Sequence, residues 1–231
     1  MRSPDEYQEL AKTIINDVFN DVGLFITAFT HRSYLNEHKK TVFAHNERLE
    51  FLGDAVLELV VTEYLYSNYE EPEGILTNWR SSLVRTESIG AAASRLNFGD
   101  YLRLSRGEKR GSDRAKQQIM ANCSEAVIGA IYIDKGYAVA SQFITDNILS
   151  TFESILETGA WLDSKSRLQE ISQSKTGFTP QYKVLSEEGP DHEKIFEVGV
   201  YVNDKLYGKG KGHSKQLAQQ HAAEAALKKF A

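Results

Sequence analysis

The sequence predicts an all-α N-terminal domain followed by a small α+β unit of α-β-β-β-α order, and three observations predict it. Apolar residues recur at helical spacing through the first two thirds of the 231 residues. After residue 180 the period changes to two, the spacing of a half-buried strand. The charge divides near the same place. Residues 164–231 carry 11 Lys and Arg against 8 Asp and Glu, whereas the preceding residues hold 16 against 24. An acidic body joined to a mildly basic tail suggests two units with different tasks. The boundaries expected are 1–156 for the first unit, 157–163 for a linker and 164–231 for the second.

In chain order, Leu10, Ile14, Ile15 and Val18 mark a first helix, and Leu49, Leu52, Val56, Leu59 and Val60 a longer one. Ile119, Val127, Ile128 and Ile131 mark another, and Phe143, Ile144, Ile148 and Phe152 the last of the first unit. Turn residues separate them at 68–74, 97–100, 107–113 and 135–136. Ser164 is placed to cap a helix holding Leu168 and Ile171. Gln181–Leu185 reads as a strand. Phe196, Val198, Val200 and Val202 alternate with polar or small neighbours, Asn203-Asp204 supplies a tight turn, and Leu206-Tyr207 begins the return. From Ser214 a final helix lines up Ala218, Ala222, Ala225 and Ala226.

Composition excludes several classes. With 41% hydrophobic and 26% charged residues the chain is neither disordered nor fibrous, and 16 Gly with 4 Pro are too few for a collagen-like repeat. The first residues carry acids and no apolar run, unlike a secretory signal. The most apolar stretch, 55–66, is short and broken by Glu58 and Glu63, so no membrane association is expected. Cys123 is the only cysteine, which rules out an internal disulfide and fits a reducing, cytoplasmic setting.

The chemistry concentrates between residues 46 and 57. On a helix of about 3.6 residues per turn, Glu47, Glu50 and Asp54 fall on one narrow stripe while apolar residues fill most of the remaining surface. Stacked carboxylates repel and raise each other's pKa, a cost that a hard divalent cation removes. A solvated helix face is the competing explanation, and spacing alone leaves the two open. Glu58 continues the stripe but reads as solvated. A second segment echoes the first: Asn122 and Glu125 lie one turn apart, with Ala126, Gly129 and Ala130 small enough for another helix to approach. Two close helices, each offering oxygen ligands, would form a cradle for a metal ion.

These residues carry a resemblance. His45-Asn46-Glu47-Arg48-Leu49-Glu50-Phe51-Leu52-Gly53-Asp54-Ala55-Val56-Leu57 resembles the signature of ribonuclease III, supported by Thr30–Ser33, Glu73–Thr77, Gly107-Glu108 and Glu125–Asp134. The tail resembles a double-stranded-RNA-binding domain. The resemblance spans practically the whole chain. It implies an endonuclease domain that dimerises, each subunit supplying one acidic centre that cuts one strand of an RNA duplex. The products would have 5′-phosphate and 3′-hydroxyl ends, and ribosomal-precursor and messenger RNA processing would be the setting. It places Glu50, Asp54, Asn122 and Glu125 in the metal positions, with Mg2+ as the ion and Mn2+ able to substitute. Asp54 and Glu125 take the catalytic positions, Glu47 and Glu73 those of accessory acids at the dimer valley. Phe51 takes that of an aromatic inserted into the partner, with Glu47 beside it at the interface. No small-molecule cofactor is expected.

Duplex RNA presents phosphates and 2′-hydroxyls instead of base edges, and one such domain spans about 16 base pairs. The expected contacts are Ser166, Gln169 and Glu170 on the first helix, and His192 in the loop after the first strand. Lys211, His213, Ser214 and Lys215 would bind phosphates at the start of the last helix. A basic run of Arg103, Arg106, Lys109, Arg110, Arg114 and Lys116 could grip backbone or simply solubilise a loop. Two departures stand out. Asn122 occupies a place where the family most often has Asp, and Gln216 and Gln219 stand where lysines are common. The first predicts weaker metal affinity, the second a shallow salt dependence. Asn122 also keeps open the alternative of a catalytically weakened duplex-RNA-binding protein.

Overall fold

The structure, a computed structural model, describes residues 2–158, 164–190 and 194–230. His192 and residues 159–163 of the expected linker lie outside the described residues. The chain forms two compact units, Met1–Ile155 and Leu156–Ala231.

The first unit is helical: α1 (Pro4–Ile15), α2 (Val22–Ala28), α3 (Arg32–Glu37), α4 (Glu47–Asn68), α5 (Glu73–Val84), α6 (Thr86–Arg95), α7 (Asp113–Lys135) and α8 (Tyr137–Asn147), with α9 (Phe152–Thr158) beginning within it. Local chemistry sets the ends. Ser3 and Glu6 form a reciprocal capping box at the start of α1, Pro4 occupies its first turn, and Asn16 closes it in the left-handed conformation. Val18 therefore lies beyond the helix and is 38% exposed, against the expectation that it extended the apolar face. Asp21 and Ser112 cap α2 and α7 through their side chains. The apolar period across 143–152 is kept, but α8 ends at Asn147 and a 3-10 turn at Leu149–Thr151 precedes α9. Ile144, Ile148 and Phe152 stay buried on both sides of the break.

Tyr7, Phe25, Phe29, Phe98 and Tyr101 build an aromatic core under α1 and α2, and the Tyr7 hydroxyl donates to the Tyr101 carbonyl at 2.7 Å. Behind it, α4 and α7 are the central pair. Leu49, Val56, Leu57, Val60, Val61 and Leu65 of α4 are buried, as are Ile119, Val127, Ile128 and Ile131 of α7. Leu59 breaks the expected pattern: it is 57% exposed, because it projects away from the α7 side with Phe51 and Tyr66. Among the described residues no helix is long and apolar enough to cross a membrane.

The second unit is α10 (Ser164–Thr176), an antiparallel sheet of order β1-β2-β3 (Gln181–Glu188, Ile195–Val202, Lys205–Gly212) and α11 (Lys215–Leu227). Asn203 and Asp204 both have positive φ, 47° and 59°, the conformation that a two-residue hairpin turn demands. Val198, Val200 and Val202 are buried, and Leu168 of α10 shares one core cluster with Val198 and Val200. On β3 the inward positions are Gly208, Gly210 and Gly212, where a Cβ would lie 2.4 Å from Ala222 O, 2.2 Å from Ala222 N and 2.8 Å from Ala218 N. Side-chain-free positions on the strand and alanines on the helix thus bring backbone against backbone. The buried alanines are Ala218, Ala222, Ala223 and Ala226; Ala225 is only half-buried, so the stripe lies slightly to one side of its expected course. Ser164 is the first helical residue of α10 instead of its cap, and its hydroxyl donates to Glu224 Oε1 at 3.4 Å.

Candidate active site

The site begins with two glycines. A Cβ on Gly53 of α4 would sit 1.7 Å from the carbonyl oxygen of Glu125, and one on Gly129 of α7 would sit 2.3 Å from the carbonyl oxygen of Leu49. The two helices therefore cross with their backbones touching, which only side-chain-free positions permit. Glu50 and Asp54 flank Gly53 in sequence, and Glu125 lies one turn before Gly129. Close crossing at that point brings acids from both helices to one edge of the seam.

Electrostatics record the gathering. Burial pushes the Glu125 carboxyl up to about 7, with the charges of Asp54 and Glu50 adding to the shift. Burial also raises Glu50, followed by the charge of Glu47; the nearby Asn122 amide opposes the rise, and Asp54 adds to it. The Asn122 oxygen in turn accepts from Gln118 Nε2 at 2.7 Å. Glu50, Asp54, Asn122 and Glu125 are thus brought together as neighbours. Among the described residues no group of three or more His, Cys, Asp or Glu side chains is placed to hold a metal ion. The set is a group of mutually repelling acids, with an amide beside them.

The accessory positions lie around this group. Glu47 is exposed at the start of α4, with Arg32 at 3.5 Å and His45 at 3.8 Å. Glu58 pairs with Arg80 at 3.1 Å, in keeping with a surface role. Glu73 stands elsewhere. It opens α5 and borders an apolar cavity of about 410 Å3, whose other walls include Leu65, Tyr66, Leu76 and Arg80. Phe51, beside Glu50, is 81% exposed. Of the basic run, Arg103 is structural: it lies over the Tyr34 ring at 4.7 Å and donates to Thr30 Oγ1. Arg106, Lys109, Arg110 and Arg114 are exposed, and Lys116 pairs with Asp113 one turn away.

In the second unit Ser166, Gln169 and Glu170 are exposed on α10. Ser166 and Gln169 open on a polar cleft of about 500 Å3 shared with Lys165, Tyr182, Gln216 and Gln220. His213, Ser214 and Lys215 are exposed at the start of α11, where the Ser214 hydroxyl accepts from Leu217 N at 3.1 Å and so caps the helix. Lys215 pairs with Glu187 at 3.1 Å and Lys211 with Glu197 at 3.4 Å. Gln219 accepts from Lys165 at 2.8 Å. The sequence reading missed these acidic partners. Their signal was weak, because Glu187 and Glu197 are remote in sequence from the lysines they meet.

Comparison with known proteins places both units in families. Residues 21–152 match the Ribonuclease-III-like family model, and residues 164–230 match the double-stranded RNA binding motif. Ribonuclease 3 of Enterococcus faecalis is 44% identical over 215 residues, 91% of this chain and 92% of that protein. Ribonuclease 3 of Streptococcus gordonii is 45% identical over 216 residues, 92% of this chain and 91% of that one. A solved nuclease domain of ribonuclease III from Campylobacter jejuni, studied for flexibility in a region involved in dimer formation, superposes with a TM-score of 0.56 at 38% identity. It covers 63% of this chain and 98% of its own. Match of both units in order, with identity sustained across nearly the full length of each relative, establishes that the chain belongs to the ribonuclease III family.

Proposed function

We propose that this chain is an endoribonuclease that cuts double-stranded RNA by divalent-cation-dependent phosphodiester hydrolysis, working as a homodimer. The observation that carries the reading is the gathering of Glu50, Asp54 and Glu125 across the Gly53–Gly129 crossing. The donor set fits Mg2+ or Mn2+: hard carboxylate oxygens held near one another at an electrostatic cost that a cation would relieve. Such an ion supplies an activated water and stabilises charge on the phosphate and the departing oxygen. Glu50, Asp54 and Glu125 would hold it, with Asn122 in the fourth place. Ionised Glu125 is required for that role, and its raised pKa keeps it protonated until the pH approaches neutrality or a cation competes.

Glu47, held by Arg32 and His45, stands at the approach to the group as an accessory acid. Glu73 would act at a second location, which the dimer reading accounts for. Exposed Phe51 and the apolar cavity bordered by Glu73 are the two halves expected of a self-complementary contact between protomers. Ser166, Gln169 and Glu170 of α10 and Lys211, His213, Ser214 and Lys215 near α11 supply polar groups suited to 2′-hydroxyls and phosphates.

One assay tests the reading. The chain is incubated with long duplex RNA with and without Mg2+, and the end groups are read. Cutting only with the cation, leaving 5′-phosphates and 3′-hydroxyls, is expected. Retention of RNA without cutting would support the duplex-binding alternative instead.

A further inference from the structure

Lys215 is the first residue of α11, where the proposed function needs a cation for RNA phosphate, yet its charge is already engaged. The ammonium lies 3.1 Å from Glu187 Oε1 and 5.4 Å from the centre of the Phe196 ring. These two partners belong together. Glu187 and Phe196 are opposite each other in the β1–β2 register, so their side chains share one side of the sheet, and Phe196 packs against the core of this unit. A carboxylate and an aromatic face thus form a cradle for the ammonium. The other Glu187 oxygen lies 3.9 Å from Lys194, the residue before β2. One carboxylate therefore serves two lysines.

We propose that Glu187 is an intramolecular rival of RNA phosphate at Lys215, and so sets the strength and salt dependence with which the second unit binds a duplex. This rests on the RNA-binding reading above. A lysine that meets a phosphate gains affinity from the cations the nucleic acid releases, and only a positive charge that is not already balanced releases them. Beside Glu187 the ammonium enters as half of a neutral pair. Phosphate must displace the carboxylate or sit next to it, and either costs affinity. The 2′-hydroxyl contacts expected of Ser166 and Gln169 carry no such cost. Glu187 thereby lowers the share of affinity that comes from charge, which any polyanion offers, and leaves the share from hydroxyls, which RNA offers and DNA does not.

The test is binding of the full-length chain to a duplex RNA of about 16 base pairs, without divalent cation and at several salt concentrations. The parent, Glu187→Gln, Lys215→Ala and the double variant are compared. Glutamine keeps the shape of glutamate and Glu187 is exposed, so the fold is retained, and melting temperatures verify this. Glu187→Gln should bind about threefold tighter at low salt. Its salt slope should be steeper by up to about 0.9, the value of one phosphate contact. In the Lys215→Ala background most of that gain should vanish, the longer Lys194 contact accounting for the rest. Unchanged binding by Glu187→Gln overturns the proposal. So does weaker binding, which would make Glu187 a support for Lys215, and so does a gain that mostly persists without Lys215. Absence of duplex binding by the parent overturns the RNA-binding reading itself, a failure distinct from the others.

Discussion

Glu125 carries the sharpest consequences of the site's electrostatics. Its carboxyl is raised from an ordinary 4.5 to about 7, so between those values the folded chain binds a proton that the unfolded chain has released. Stability of the metal-free protein therefore falls as pH rises through that window and levels above it. Melting temperatures from pH 4.5 to 8 should show this decline, and Glu125→Gln should flatten it. The same variant should cut duplex RNA at least about a hundredfold more slowly, since it removes an ionised ligand, while still retarding RNA in a gel. Asn122→Asp should act in the opposite sense on metal demand, lowering the Mg2+ needed for half-maximal cutting; equal demand in both forms would refute this. The acids were legible in the sequence because their spacing placed them on one stripe among apolar residues. The Gln118–Asn122 contact was not singled out, because an i,i+4 pair of amides on one helix carries no signal of its own.

The α4–α7 crossing makes the site possible, and it depends on the absence of two side chains. Gly129→Ala would drive a Cβ to within 2.3 Å of the Leu49 carbonyl oxygen, a backbone atom that cannot yield cheaply. A loss of about 3 kcal/mol is expected, at the upper end of ordinary overpacking, read as a fall in the denaturation midpoint. Cutting should fall as well, because parting the helices separates Glu50 and Asp54 from Glu125. Gly129 and its small neighbours announced a close approach in the sequence. Gly53 did not stand out, because a glycine within a long helical pattern signals nothing until its partner is known. Helix ends followed the same division. The turn residues at 68–74 and 135–136 marked real boundaries, whereas the break after Asn147 left no trace because the apolar period continues through it. Leu59 was misplaced for a related reason. Periodicity assigns a face to a helix but does not say where packing by its neighbours stops, and α4 continues past that limit toward the exposed side of Phe51 and Tyr66.

The whole chain divides labour between an acidic unit and a basic one, and the charge asymmetry that suggested this is the coarsest signal in the sequence. The basic unit is milder than its lysine content implies, because Lys211 and Lys215 are paired with Glu197 and Glu187. Binding of duplex RNA should accordingly show a shallow salt slope. Lys211→Ala and Lys215→Ala should each reduce that slope by at most about 1, measured by titration at several salt concentrations. Phe51→Ala should move the chain toward monomer in analytical ultracentrifugation, and an unchanged dimer would remove Phe51 from the interface. The central claim is that Glu50, Asp54 and Glu125 together hold the catalytic cation. Anomalous diffraction from crystals of the full chain grown with Mn2+ tests it most directly. The account predicts a peak bounded by those three carboxylates at the Gly53–Gly129 crossing; a peak elsewhere, or none there at saturating Mn2+, would contradict it.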